Sequence, residues 1–232
     1  INMSAAHFNW TQLIPGVGHD VHIATAAVVA TGIVGLAFAG KLSLGKGEQA
    51  IAPAGSFGLR GMFEGITELI VYLTDMVFGE GHRKFVPLFG AMFTFILINN
   101  LVGLLPGMTP ATENINTTVA VGMFSFIMYN WLGFKEHGMA YFKHYLGPIL
   151  WMAPIMLPIE IISNIVRPFS LGIRLMANMT ADHTVLGIFL ELTPIAIPVI
   201  FYGLGTFVCF VQSLIFTLLS MVYVSMATSH DH

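Results

Sequence analysis

Arg167-Pro168-Phe169-Ser170-Leu171-Gly172-Ile173-Arg174-Leu175-Met176-Ala177-Asn178-Met179 lies inside a run, Ile149 to Ala227, that is otherwise almost wholly apolar. Arg174 stands near the middle of that run. Its guanidinium cannot shed a proton to escape an apolar setting, and a charge at bilayer depth costs about 3 kcal/mol on insertion scales. Such a residue is expected to face a partner or a water-filled cleft, so it reads as functional. The rest of the chain agrees that the solvent is lipid. Hydrophobic residues make up 56% of the 232 and charged residues only 9%, too little charge to cover a water-exposed surface. An integral membrane protein follows, and a nucleic-acid partner is not expected. The single cysteine, Cys209, excludes an intramolecular disulfide framework.

Working outward, Val21 to Gly40 has about the 20 residues a bilayer crossing needs and reads as a span, not a cleaved leader. In the segment 56–79, Arg60, Glu64, Glu68 and Asp75 fall within about 80° of one another at 100° per residue. The opposite face contains Phe63, Ile66, Leu69, Ile70, Leu73 and Val77. That pattern predicts an amphipathic helix on the membrane surface. Within 84–134, two apolar runs separated by a Pro/Gly loop predict a transmembrane hairpin. A second hairpin is predicted over 149–227, turning between Thr193 and Pro198. Its first arm exceeds 40 residues, about 65 Å at 1.5 Å per residue, and must tilt strongly, break or lie partly in the interface. Pro154, Pro158 and Pro168 are the candidate kinks. The expected fold is therefore an all-α integral membrane protein: one N-terminal transmembrane helix, an interfacial helix, a hairpin and a long tilted helical hairpin.

Lys41, Lys46, Arg60, Arg83, Lys84, Lys135 and Lys143 fall in loops on one side, whereas 1–20, the 106–115 loop and the 193–198 turn contain no Lys or Arg. The positive-inside rule makes the first side cytoplasmic, with the N-terminal segment outside and the tail 228–232 inside. On a single helix, Glu160, Arg167, Arg174, Asn178 and Asp182 make one polar stripe about 80° wide. Glu160 lies toward the cytoplasm, and Asp182, His183 and Glu191 lie toward the outside. Acids on both sides of a central arginine suggest two aqueous accesses that do not meet. Gln212 and Tyr223 share a face of the last arm with Gly205, and Gln212 is placed to hydrogen-bond Arg174. Structural ion pairs and interhelical amide bonds are the plainer explanation for such residues. The clusters His19, Asp20, His22 and His230, Asp231, His232 are read as solvated, with no metal site. The absence of a Walker motif excludes direct ATP binding.

The quoted stretch, together with Pro158-Ile159-Glu160-Ile161-Ile162-Ser163, Gln212-Ser213-Leu214-Ile215-Phe216-Thr217 and Met221-Val222-Tyr223-Val224-Ser225-Met226-Ala227, resembles the a subunit of the bacterial F-type ATP synthase. Weaker likeness extends through Asn99-Asn100-Leu101-Val102-Gly103-Leu104-Leu105-Pro106 to Phe8-Asn9-Trp10-Thr11. The resemblance implies a subunit that is not an enzyme on its own, needs no cofactor and sits in the bacterial inner membrane. Its implied partners are the c-subunit ring, the peripheral-stalk b subunits and the rest of the ATP synthase. It implies Arg174 as the essential charge between two half-channels, discharging passing ring carboxylates. By the same likeness, Glu160 is the acid of the cytoplasmic half-channel, and Asn178, Gln212 and Tyr223 are polar support facing the ring. His183 takes the outer half-channel position. The family's partner position for that residue is Gly205 in this chain, so Asp182 or Glu191 is expected to supply the acid, while Glu113 on the outer loop gathers cations. A transporter acting alone, with Arg174 binding an anionic substrate, is the rival class, but the two hairpins show no obvious inverted repeat. A membrane scaffold with a buried ion pair is the third.

Overall fold

Asn114 opens a helix by accepting a hydrogen bond on its side chain from the Asn116 amide, 2.9 Å away, and Gly138 (φ +56°) follows the helix's last residue. Local rules of this kind, with Gly79 (φ +78°) just past another helix and Pro87 in the first turn of a third, divide the chain. The structure, a computed structural model, describes residues 21–43, 58–79, 81–105, 108–138, 153–192 and 196–228. They form α1 (Val21–Ser43), α2 (Leu59–Phe78), α3 (Val86–Gly103), α4 (Ile115–His137), α5 (Ala153–Leu192) and α6 (Ala196–Thr228), with short 3-10 turns at Arg83–Phe85 and Ala111–Glu113. All regular structure among the described residues is helical. Every helix except α2 contains a stretch long and apolar enough to cross a bilayer. The protein is thus an all-helical, multi-pass membrane protein.

Some boundaries differ from expectation. The long arm stays helical for 40 residues, through Pro158 and Pro168, so no proline breaks it. At 1.5 Å per residue that is about 60 Å. The last helix begins at Ala196, three residues before the expected Val199, and takes Pro198 into its first turn, where a missing amide hydrogen costs nothing. Residues 149–152 and 193–195, Lys46, Lys143, His19, Asp20 and the tail cluster 230–232 lie outside the described residues.

Pro168 explains one long-range contact. Having no N–H, it leaves the Asn164 carbonyl without its helical donor. The Tyr129 hydroxyl of α4 points there, hydrogen-bonded to the Asn164 side-chain oxygen and 3.4 Å from the orphaned carbonyl. Further along the same crossing, glycine lets α4 and α5 touch backbone to backbone. A Cβ on Gly122 would lie 2.4 Å from the Pro168 carbonyl oxygen, and one on Gly172 would lie 2.9 Å from that of Thr118. Small residues at such crossings are how helices associate where no hydrophobic force separates protein from solvent.

The core gathers Ile70 and Leu73 of α2, Phe89, Met92, Phe93 and Ile96 of α3, Tyr129 of α4, Leu171 and Leu175 of α5, and Phe216, Met221 and Val224 of α6. The apolar face of α2 therefore packs on protein. Hydroxyls at this depth are satisfied locally or in pairs. Ser213 and Thr217 donate to carbonyls one turn back in α6, and Ser125 of α4 bonds Ser220 at 2.8 Å. The helices α5 and α6 run antiparallel. Their contacts Phe189–Phe201, Asn178–Gln212 and Arg167–Tyr223 recur every eleven residues, three helical turns, on each.

Candidate functional site

The α5–α6 seam carries the polar residues singled out in the sequence. Arg174 lies close to the middle of the apolar span Met156–Phe189 and is exposed. Leu171 and Leu175, about 60° and 100° round α5 from it at 100° per residue, are buried in the core. The ion pairs Arg60–Glu64, Arg83–Asp75, Arg167–Glu160 and His183–Glu113 do not involve Arg174. Beside it, Ser170, Ala177 and Ala181 are also exposed and lie within about 60° of it at 100° per residue. The flank bearing the charge is therefore nearly smooth. Further round stand Ile162, Ile165, Val166, Phe169 and Ile173, each more than 40% exposed.

Four residues along α5, Asn178 donates from Nδ2 to Oε1 of the buried Gln212, at 2.7 Å. The expected partner of Gln212 was Arg174; the carbonyl accepts from the asparagine instead. This bond pins α6 to α5 one turn from the arginine and leaves the guanidinium its five donors.

Toward the end that carries Arg83, Lys84 and Lys135, Glu160 and Arg167 approach to 3.9 Å, and the Arg167 guanidinium lies 5.4 Å from the Tyr223 ring centroid. Two of the stripe residues and Tyr223 of α6 thus form one group: an acid, a base and an aromatic face, the last two in a cation–π geometry. The two basic residues of the stripe are differently placed. Arg167 has an acid and a ring, whereas Arg174 projects from the seam.

Toward the opposite end, His183 turns away from the seam to the outer turn between α3 and α4. Its Nδ1 is 3.2 Å from Oε2 of Glu113, and its Nε2 meets the Gly103 carbonyl. Asp182 has one carboxylate oxygen buried with no hydrogen-bond partner among the described residues. The side chain of Glu191 lies outside the described residues. Gly205 is buried, and a Cβ there would lie 2.9 Å from Cδ2 of Leu104, so that leucine fills the place a larger residue would need. The turn bearing Glu113 is itself fixed. Ala111 and Thr112 are fully buried, and the Thr112 hydroxyl donates to Asn100 Oδ1 at 2.8 Å. Sequence reading placed Glu113 on the outer loop but did not bring it to His183. The two are 70 residues apart, and only the fold of the 108–114 segment back against the end of α3 joins them.

Among the described residues, the geometry thus contains one cation at mid-span without an ion-pair partner, with separate polar groups on either side. Residues 23–225 match the model of a protein family described as ATP synthase A chain. The chain is 56% identical over 227 residues to ATP synthase subunit a of Bdellovibrio bacteriovorus, covering 97% of this chain and 99% of that one. It is 41% identical over 175 residues to ATP synthase subunit a 1 of Syntrophotalea carbinolica, 75% of each. With ATP synthase subunit a of Geotalea daltonii the identity is 40% over 186 residues, covering 78% and 81%.

Proposed function

The chain belongs to the ATP synthase A chain family, and on that premise we propose that Arg174 is the charge gate between two offset half-channels of a proton-translocating F-type stator subunit. The chain is then a non-catalytic component of the complex. The observation that carries the reading is the exposed guanidinium at mid-span, unpaired among the described residues, beside a flank of small side chains. A charge so placed, without an ion-pair partner of its own, fits a partner that comes and goes. Small neighbours let a second helix approach closely. The partner is a c-ring carboxylate. At about 4 Å and an effective dielectric near 20, the pair attract by about 4 kcal/mol, which favours the ionised carboxylate about a thousandfold. The proton is released to one half-channel, and the carboxylate regains one from the other as it leaves the arginine.

Glu160, with Arg167 and Tyr223 around it, supplies the polar groups of the cytoplasmic half-channel. Asp182, His183 and Glu191 belong to the outer one. The Asn178–Gln212 bond holds the seam so that Arg174 keeps its pose while the ring passes. Fixed positive charge between the two routes also obstructs a direct proton leak. The basic residues at one end orient the chain in the inner membrane with that end cytoplasmic, the N-terminal segment outside and the tail inside. The helix α2 lies along the cytoplasmic interface, and remaining outward apolar surface meets lipid and the b subunits.

The test is ATP-driven proton pumping in inverted vesicles bearing Arg174→Ala, with assembly checked by copurification of the ring and the catalytic head. Pumping lost in an assembled complex is the expected result. Normal pumping would return the arginine to a structural role.

A further inference from the structure

We propose that Arg167 is a positioning residue: fixed against the ring of Tyr223, with Tyr129 behind that ring, its guanidinium keeps the Glu160 carboxylate in place at the cytoplasmic end of the path. The role rests on the function proposed above. Glu160 and Arg167 are seven residues apart, about two turns of α5, and so share one side of it. Helical side chains lean toward the helix N-terminus, so the arginine reaches back to the acid while the acid leans away from it. The two meet at 3.9 Å, beyond hydrogen-bond reach. Arg60 and Glu64, by contrast, close to 2.7 Å with a hydrogen bond. The looser pair leaves the oxygens of Glu160 open to water and to a proton, while the opposite charge still keeps the carboxylate from swinging away.

The position is costly for a cation. Arg167 stands inside the apolar span Met156–Phe189, about 10 Å along the helix from Arg174, and a partly exposed ion pair of this length contributes little to stability. What fixes the arginine is a closed ring of contacts through three helices. Its guanidinium lies 5.4 Å from the Tyr223 ring centroid on α6. The Tyr223 ring stands 6.1 Å, centroid to centroid, from that of Tyr129 on α4. Tyr129 is buried, and its hydroxyl returns to α5 on the side chain of Asn164, also buried, which lies between Glu160 and Arg167 in the sequence. The arginine thus rests on a packed aromatic surface. Among the described residues, Arg167 is in turn the one ion-pair partner of Glu160.

The order of support fixes the roles. The guanidinium stays protonated, so it neither takes nor gives a proton. Glu160 takes one from a hydronium ion and leaves a water molecule; passing it inward restores the carboxylate beside the arginine. No other bond changes.

A double-mutant cycle on the pumping rate separates this role from a structural one. Glu160→Asp keeps a carboxyl group, and so a measurable rate, but draws it back by one methylene from the guanidinium. Arg167→Gln removes the cation and leaves the acid its full length. Each is expected to lower ATP-driven pumping in inverted vesicles at least about fivefold, as misplacement of a reacting group does, while ring and head still copurify. Because both changes unseat the same carboxylate, the double variant should pump within about twofold of the slower single one. Losses that multiply, as for an arginine that only packs the seam, would overturn the positioning role. Normal pumping in either single variant would overturn it as well, and with pumping lost in Arg174→Ala would leave the charge gate standing. Normal pumping in Arg174→Ala would overturn the underlying reading instead. Should Arg167→Gln fail to assemble, Tyr223→Leu, which releases the guanidinium and keeps its charge, takes its place in the cycle and is judged by the same outcomes.

Discussion

Replacing Gly122 by alanine tests how tightly the frame around Arg174 is built. The new Cβ would start 2.4 Å from the Pro168 carbonyl oxygen, whereas carbon approaches such an oxygen no closer than about 3.3 Å even in a C–H···O contact. The helices α4 and α5 must therefore separate locally by about 0.9 Å. The obstacle is backbone, so no side chain can swing aside. Overpacking of this kind costs about 1–3 kcal/mol, and the better helix propensity of alanine returns roughly 0.8–1.0 kcal/mol. The balance against wild type is about 0–2 kcal/mol, and against an alanine that gains the same propensity without the clash it is the full overpacking cost of about 1–3 kcal/mol. Separation also loosens the second close approach, Gly172 against Thr118, one turn along α5. At about 2–4 °C per kcal/mol for a chain of this size, the midpoint for loss of this subunit from the heated, detergent-purified complex should lie about 2–12 °C below that of such a clash-free alanine variant. Gly90→Ala is the matched control, because a Cβ there meets nothing within 4 Å; it should hold or raise the midpoint. Equal midpoints for Gly122→Ala and Gly90→Ala would refute the claim that backbone contact sets the α4–α5 crossing.

Tyr129→Phe leaves the Asn164 carbonyl with neither a helical donor nor the hydroxyl, and should cost about 1–2 kcal/mol in the same heating assay. Adding Pro168→Ala, which supplies an amide hydrogen at the position of need, should recover part of that loss. A double-mutant cycle with Asn178→Leu and Gln212→Leu should give a coupling of about 0.6 kcal/mol, and not more than about 1.7 kcal/mol; zero coupling would mean that the 2.7 Å contact does not stabilise the seam. Tyr223→Leu should lower the midpoint by an amount equivalent to about 0.5–2 kcal/mol, whereas Tyr223→Phe, which keeps the ring face over Arg167, should lose much less.

The fold was legible where lipid imposes it. Each apolar run long enough to span became a helix, and the 3.6-residue period put Glu160, Arg167, Arg174 and Asn178 along one side of α5, because a helix leaves no choice about where its side chains point. Prolines were harder to judge. Pro168 looked like a kink because its own helix loses a hydrogen bond, and the repair comes from Tyr129 on a different helix. Pairings were harder still. Gln212 takes Asn178 and His183 takes Glu113 because of how α3, α4 and α6 sit against α5, and a helical wheel describes one helix at a time. The glycine crossings were hidden for the same reason: Gly122 and Gly172 look like any other glycine until the opposing carbonyls are located.

The close fit of Leu104 over Gly205 bears on the routes by which this sequence can change. A side chain added at 205 would place its first carbon 2.9 Å from Cδ2 of Leu104, so the end of that leucine has to swing aside to admit it. A smaller residue at 104 would open the same space without that movement, and would give up the packing the leucine supplies. The two positions are therefore coupled: what stands at 104 sets how easily 205 admits a side chain, although the two lie about a hundred residues apart in the sequence.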